Sequence, residues 1–220
     1  MATIGEWLRE RRLAGPILAA ALFGLAAAPA ETPAPSFAAL VAQAESGDPA
    51  TDYTALRMAY AASDGYDGYG ITVHDLYGQL WPDFQAKRCD KVIATSDKML
   101  KIDYTLATVH FIRSDCFKQT GDSARAGREE AIGRGLAKSL LASGDGTGVD
   151  TAFVVVTMAE ERFLLTYLDM DEERQALIVK NGHQFDLITG KNRKTGAEQA
   201  AYFNVDALFA GMERQLHPKP

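Results

Sequence analysis

Three groups of residues in this chain have types and spacings that could do chemistry. The first is Arg57 with Tyr60, Tyr66 and Tyr69, beside the Gly-rich stretch 63–70. A guanidinium and three phenols could take an anionic or sugar-like ligand through bidentate hydrogen bonds and ring stacking. The plainer reading is that the tyrosines pack between the loop and the helices. The second group is His183, Gln184, Phe185 and Asp186, with Tyr202 and Asn204 further on. In a strand, alternate residues share a face, so Gln184 and Asp186 point one way and His183 and Phe185 the other. A solvated sheet face is the plainer reading here. The third group is Glu160 with Glu161. These carboxylates, or His183 with Asp186, are the residues an envelope hydrolase would use. The Glu pair also falls in a predicted first helical turn, where the helix dipole stabilises negative charge without any catalytic purpose.

Other chemistries find no support. His74, His110, His183 and His217 stand in no H-E-x-x-H or similarly close ligand spacing, so no metal site is expected. The Asp145–Asp150 stretch has the composition of a calcium loop without its alternating acids and distant Glu. There is no G-x-S-x-G, P-loop or S-x-x-K motif, and no cofactor is expected. The net charge is −6, and the one basic cluster, Lys191, Arg193 and Lys194, reads as a solvated loop tip. Nucleic acid is therefore not an expected partner, nor is an anionic lipid surface.

The elements that must position these groups begin after an export segment. Arg9, Arg11 and Arg12 precede an apolar run from Leu13 to Ala28, which ends in Ala28-Pro29-Ala30. Positive region, short apolar region and A-x-A site are the order of a cleaved secretory signal peptide. The run contains Gly15 and Pro16 and falls short of the roughly 20 residues of a spanning helix. A retained anchor is the alternative reading. The Arg11-Arg12 pair suggests a twin-arginine signal, but Ala14 stands where that signal has a large apolar residue, so the general secretory route is expected. The expected location is periplasmic or secreted, with no stable membrane insertion after cleavage.

Export bears on Cys89 and Cys116, the only two cysteines. In an oxidising compartment two cysteines are expected to pair. Helical periodicity on both sides of the short connection 101–103 predicts two antiparallel helices, and the cysteines are symmetric about that turn. A bridge there would contribute about 3 kcal/mol in the chain-entropy model. Two free buried thiols are the alternative.

The remaining pattern divides the chain. A leader with a short helix occupies 31–50. Residues 51–143 read as helices carrying about one and a half tetratricopeptide-like repeats, without the Trp and Pro of that motif or its 34-residue period. Pro82 is expected to close the helix that Thr72 and Asp75 open. Residues 144–216 read as a small α+β unit with an antiparallel sheet. Phe153–Val156 is its first strand, and Thr157 with Glu160 makes a capping box. The runs 175–180 and 183–189 form a hairpin through Asn181-Gly182, and 199–205 a third strand. Asp206 is expected to cap a last helix, and 217–220 is a tail. The fold class is α+β.

Several of these segments together resemble a bacterial exported family, domain of unknown function 4919. They are the run Asp52 to Tyr60 with Tyr66 and Tyr69, the Ser143–Gly146 turn with Thr151–Phe153, the Glu160-Glu161 pair, Gly182-His183 with Asp186, and Tyr202–Asn204. The resemblance spans about 51–206. Gly68 departs from it where the family has Pro, and Arg162 where it has an aromatic. It implies the fold and export readings and carries no activity.

The reading of function is a periplasmic, non-enzymatic binding or interaction module for an unidentified envelope protein or peptide. Intact-mass measurement of the native protein should give a mature chain that begins at Glu31. A mature species that still carries residues 1–30 would overturn the export reading.

Overall fold

A computed structural model describes residues 34–216. The expected signal peptide with its cleavage site and the tail 217–220 lie outside these residues. Among the described residues no helix is long and apolar enough to cross a membrane.

Six helices come first. They are α1 (Phe37–Ser46), α2 (Tyr53–Ala61), α3 (His74–Gln85), α4 (Cys89–Ile102), α5 (Ala107–Gln119) and α6 (Ser123–Ala142). A short strand, β1 (Phe153–Val154), leads into α7 (Met158–Tyr167). The strands β2 (Met170–Lys180), β3 (His183–Asn192) and β4 (Glu198–Asn204) follow, and α8 (Asp206–Leu216) is last. The α+β class stands.

Local chemistry explains most boundaries. Ser36 accepts from the Ala39 amide and Asp52 from Thr54 and Ala55, so two helices open on short oxygen-bearing side chains. Two expectations need correction. Thr72 does not cap α3; the Asp67 carboxylate instead accepts from the amides of Ile71 and Thr72 at 2.9 and 2.7 Å. Pro82 does not close α3 either, and the helix runs to Gln85. It ends where Lys87 turns to φ 57° and the Arg88 amide reaches back to the Asp83 carbonyl at 2.9 Å. That six-to-one return is a Schellman closure. A proline removes one donor and crowds the carbonyl four residues back, but its own carbonyl still serves the helix, and that of Pro82 accepts from Ala86 at 3.0 Å.

The sheet order is β1-β4-β3-β2. The Asn181-Gly182 turn joins β2 to β3 with both residues at positive φ, 55° and 83°, as a two-residue hairpin of the primed type requires. Two features differ from expectation. The sheet is not wholly antiparallel, since β1 runs parallel to β4. And β2 begins at Met170, five residues earlier than the apolar run suggests. The acidic stretch Asp171–Glu173 gives no alternation to read, and a register shift between Glu172 and Arg174 breaks the period.

Two apolar clusters hold the fold. The larger joins Leu40, Leu56 and Leu136 of the helices to Phe163, Ile188, Phe203 and Leu208 around the sheet. The smaller is confined to the α3–α5 region, with Leu80, Val92, Met99, Val109 and Ile112. Cys89 and Cys116 lie inside the smaller cluster at disulfide distance, with Cα atoms 5.1 Å apart. The antiparallel pairing of α4 and α5 brings them level.

Replacing Cys89 by Ala should therefore lower unfolding stability by about 2–4 kcal/mol under oxidising conditions. Denaturant titration of both proteins with and without a reductant checks this. The difference should largely vanish once the parent is reduced.

Candidate functional site

Arg57 does not face a ligand. It projects from α2 into the interior and is 2% exposed. Its Nε and Nη2 donate to the two oxygens of Glu160 at 2.6 and 2.9 Å, Nη1 to Ser139 Oγ at 2.9 Å, and Nη2 also to the Val154 carbonyl at 2.6 Å. Glu160 was expected to complete a capping box on its own helix. Thr157 Oγ1 does accept from the Glu160 amide at 3.2 Å, but the carboxylate turns outward to Arg57 and accepts from the Val156 amide at 2.7 Å. The group is a buried clasp between α2, α6, β1 and α7.

The expected tyrosine surface divides in the same way. Tyr60 and Tyr66 are buried. The Tyr66 hydroxyl donates to the Val156 carbonyl at 2.5 Å, and the Tyr60 hydroxyl accepts from the Asp67 amide at 3.1 Å. The ring of Tyr66 lies so close to Gly68 and Gly211 that a Cβ at either would overlap it. Tyr69 alone reaches solvent, 45% exposed. Arg57, Tyr60, Tyr66 and Tyr69 therefore form no common surface, because the first three satisfy their polar atoms within the protein.

Glu161 takes a different partner from Glu160. It is buried on α7 and faces Asp186, buried on β3. Burial first, then the Asp186 and Glu172 carboxylates, push the Glu161 carboxyl up to about 8. Gln175 donates its amide to Asp186 Oδ2 at 2.7 Å, while Glu161 Oε2 has no hydrogen-bond partner among the described residues. Two carboxyls this close in a dry site cannot both ionise cheaply, so the pair holds a proton. Asp103, fully buried at the turn before α5, is likewise pushed up to about 7 by burial, although Thr105 donates to it twice.

His183 and Asp186 do not form a pair. As strand alternation requires, Asp186 points to the core face and His183 to the other. His183 Nδ1 instead meets Asp206 Oδ2 at 2.6 Å. The same carboxylate accepts from the Gln184 amide at 2.7 Å and from Asn204 Nδ2 at 3.3 Å. Burial works to raise the Asp206 carboxyl, but these donors outweigh it and hold it below the usual range. Asp206 was expected only as a helix cap. In the structure it fixes the first residues of β3 against the end of β4.

This arrangement borders a recess of about 280 Å³. Phe185, His183, Asn204, Lys180, Asn181 and Asp150 line it together with Val154. Phe185 is only 6% exposed yet belongs to neither apolar cluster, because it lies on the sheet face turned away from the core. Asn204 stands directly across from it in register. The site thus offers an aromatic floor with an imidazole, an ammonium, a carboxylate and two amides at its rim. Of the residues singled out in the sequence, His183, Phe185 and Asn204 converge here. Phe185 was named in the same run, and the period-two pattern already put it beside His183, whereas Asp206 was not identified as a site residue.

The chain belongs to the family described as Domain of unknown function (DUF4919), whose model matches residues 37–214. No curated protein and no solved structure matches it.

The carboxyl pair sets a pH dependence. Folded Glu161 holds its proton up to about 8, whereas its ordinary value is 4.5. The folded state therefore binds more protons than the unfolded chain between those values, so stability should fall as pH rises through that window. Asp103 adds to the fall between its ordinary 3.8 and about 7. Thermal melts from pH 5 to 9 should show a shallower decline in Glu161→Gln, and a shallower one still with Asp103→Asn added. Equal slopes in all three proteins would refute the shared proton.

Proposed function

We propose that this protein is a non-enzymatic binding module of the cell envelope, periplasmic or secreted, and that it holds an extended segment of an envelope protein or peptide in the recess over Phe185. The observation that carries this reading is the convergence of His183 and Asn204 on one carboxylate, Asp206, beside a buried aromatic that no core claims. A small apolar floor with a few fixed polar groups is the usual form of a ligand site. Preorganisation by Asp206 lowers the ordering cost of binding.

The hydrolase alternative finds less in the geometry. Glu160 is consumed by Arg57 and Glu161 is sealed against Asp186. Ser143, the one hydroxyl lining the recess, donates to the Leu140 carbonyl at 2.6 Å and accepts from the Val154 amide.

A photo-crosslinking residue at Asn181 checks the proposal in the native envelope. It should yield a discrete adduct that weakens severalfold when His183 is also changed to Ala. The same probe at Lys98, an exposed position on α4, should yield none. Indistinguishable adduct patterns from the two positions would overturn the assignment.

A further inference from the structure

The two edges of the sheet are treated differently. On one side β4 is covered, since β1 pairs with it and the Gly146 carbonyl accepts from the Tyr202 amide at 2.9 Å. On the other side β2, 11 residues long, is the last strand and is exposed over almost its whole length. Proteins blunt such edges with charges and bulges. The first half of β2 has both, in Asp171, Glu172 and Glu173 and the register shift after Glu172. The second half has no bulge and a single charge, at its end, Lys180. From Gln175 to Lys180 its pairing with β3 is regular, and Leu177 and Val179 are 53% and 69% exposed.

We propose that this half-edge pairs with the same strand of a second copy, antiparallel about a two-fold axis at Ala176. The charge pattern of β2 selects both the occupant and the register. The strand is acidic at its start and basic at Lys180; Asp171 and Glu173 already pair with Arg193 and Lys191 of their own chain, and an antiparallel copy brings each Lys180 to Glu172 of the other. An axis at Leu177 would set Arg174 against Lys180, two like charges. An axis at Gln175 would set Leu177 and Val179 against Glu173 and Asp171. An axis at Ala176 sets Gln175 beside Leu177, Arg174 beside Ile178 and Val179 beside Glu173, so that one apolar residue rather than two meets an acid, and it brings Lys180 to the Asp171–Glu172 corner. Directly opposed residues in antiparallel strands share a face. The α7 helices of both copies then lie on one side of a continuous eight-stranded sheet, made from two sheets of four. Leu177 and Val179 lose much of their exposure along the seam. A two-fold contact uses the same patch on both partners, as this one does.

Sedimentation velocity over a concentration series should show a species of twice the monomer mass. Leu177→Lys with Val179→Lys should be monomeric at the same concentrations with an unchanged melt, because neither side chain is part of the core. Lys180→Glu should weaken the dimer at least tenfold. A cysteine at the axis should cross-link to its own copy, since opposed Cα atoms lie about 4.5–5.5 Å apart, within disulfide reach. Ala176→Cys should therefore oxidise to covalent dimer, and Val179→Cys should not. A parent protein that stays monomeric throughout, a dimer that survives the double Lys exchange, or faster cross-linking from Val179→Cys would each overturn the proposal.

Discussion

The ion pair between Arg57 and Glu160 is the contact on which the rest of the structure depends. It is buried at both ends, and its partners come from segments separated by 103 residues. A guanidinium in a dry interior is tolerable only when its donors are matched, and here a carboxylate, a hydroxyl and a carbonyl take them. The consequence is geometric as much as energetic. Arg57 fixes α2 relative to the start of α7, and Glu160 fixes the bend at Val156 that lets β1 pass into α7. Loss of one partner would strand the other charge, which typically costs about 3–5 kcal/mol.

The same device recurs at Asp206. Both acids stand at the start of a helix, where the sequence pattern suggests a local cap. Both turn away and hold a different element instead, Glu160 the α2 arginine and Asp206 the first residues of β3. The helix ends are served by neighbours. Thr157 accepts from the Glu160 amide, and Asn204 Oδ1 from the Asp206 amide at 3.1 Å. Each acid thereby converts a local boundary signal into a long-range tie.

That conversion explains what could be read from the residues and what could not. The Asn181-Gly182 hairpin, the Cys89 and Cys116 approach and the Asp52 cap are local or symmetric features, and their chemistry is legible from spacing alone. Arg57 among tyrosines looks like a binding surface because nothing near it in sequence can neutralise it. Its partner is more than a hundred residues away. The start of β2 is invisible for a different reason: Asp171-Glu172-Glu173 lies on an exposed edge, where neither hydrophobic alternation nor β-branched content is required. At the recess, the face of the strand could be read but not its surroundings. Alternation set Phe185 beside His183, whereas the recess around Phe185 is lined by residues of loop 144–152 and β1, distant in sequence.

Tyr66 imposes an order on how this chain can assemble. Its ring is enclosed by Gly68 on one side and Gly211 on the other, and its hydroxyl bonds to Val156. The main core, which joins Leu40 to Leu208, therefore cannot close until nearly the last helix has been synthesised. The smaller core behaves differently, because its members lie between Val73 and Cys116 with Ala159 at the margin. Contacts of short sequence separation form early and those of long separation late. A partly synthesised chain would thus carry one finished helical nub, able to form its cysteine pair, next to an unsealed cavity where Tyr66 belongs. Such an intermediate exposes aromatic surface for as long as the C-terminal residues are missing, and it is the stage at which a holding chaperone would have most to cover.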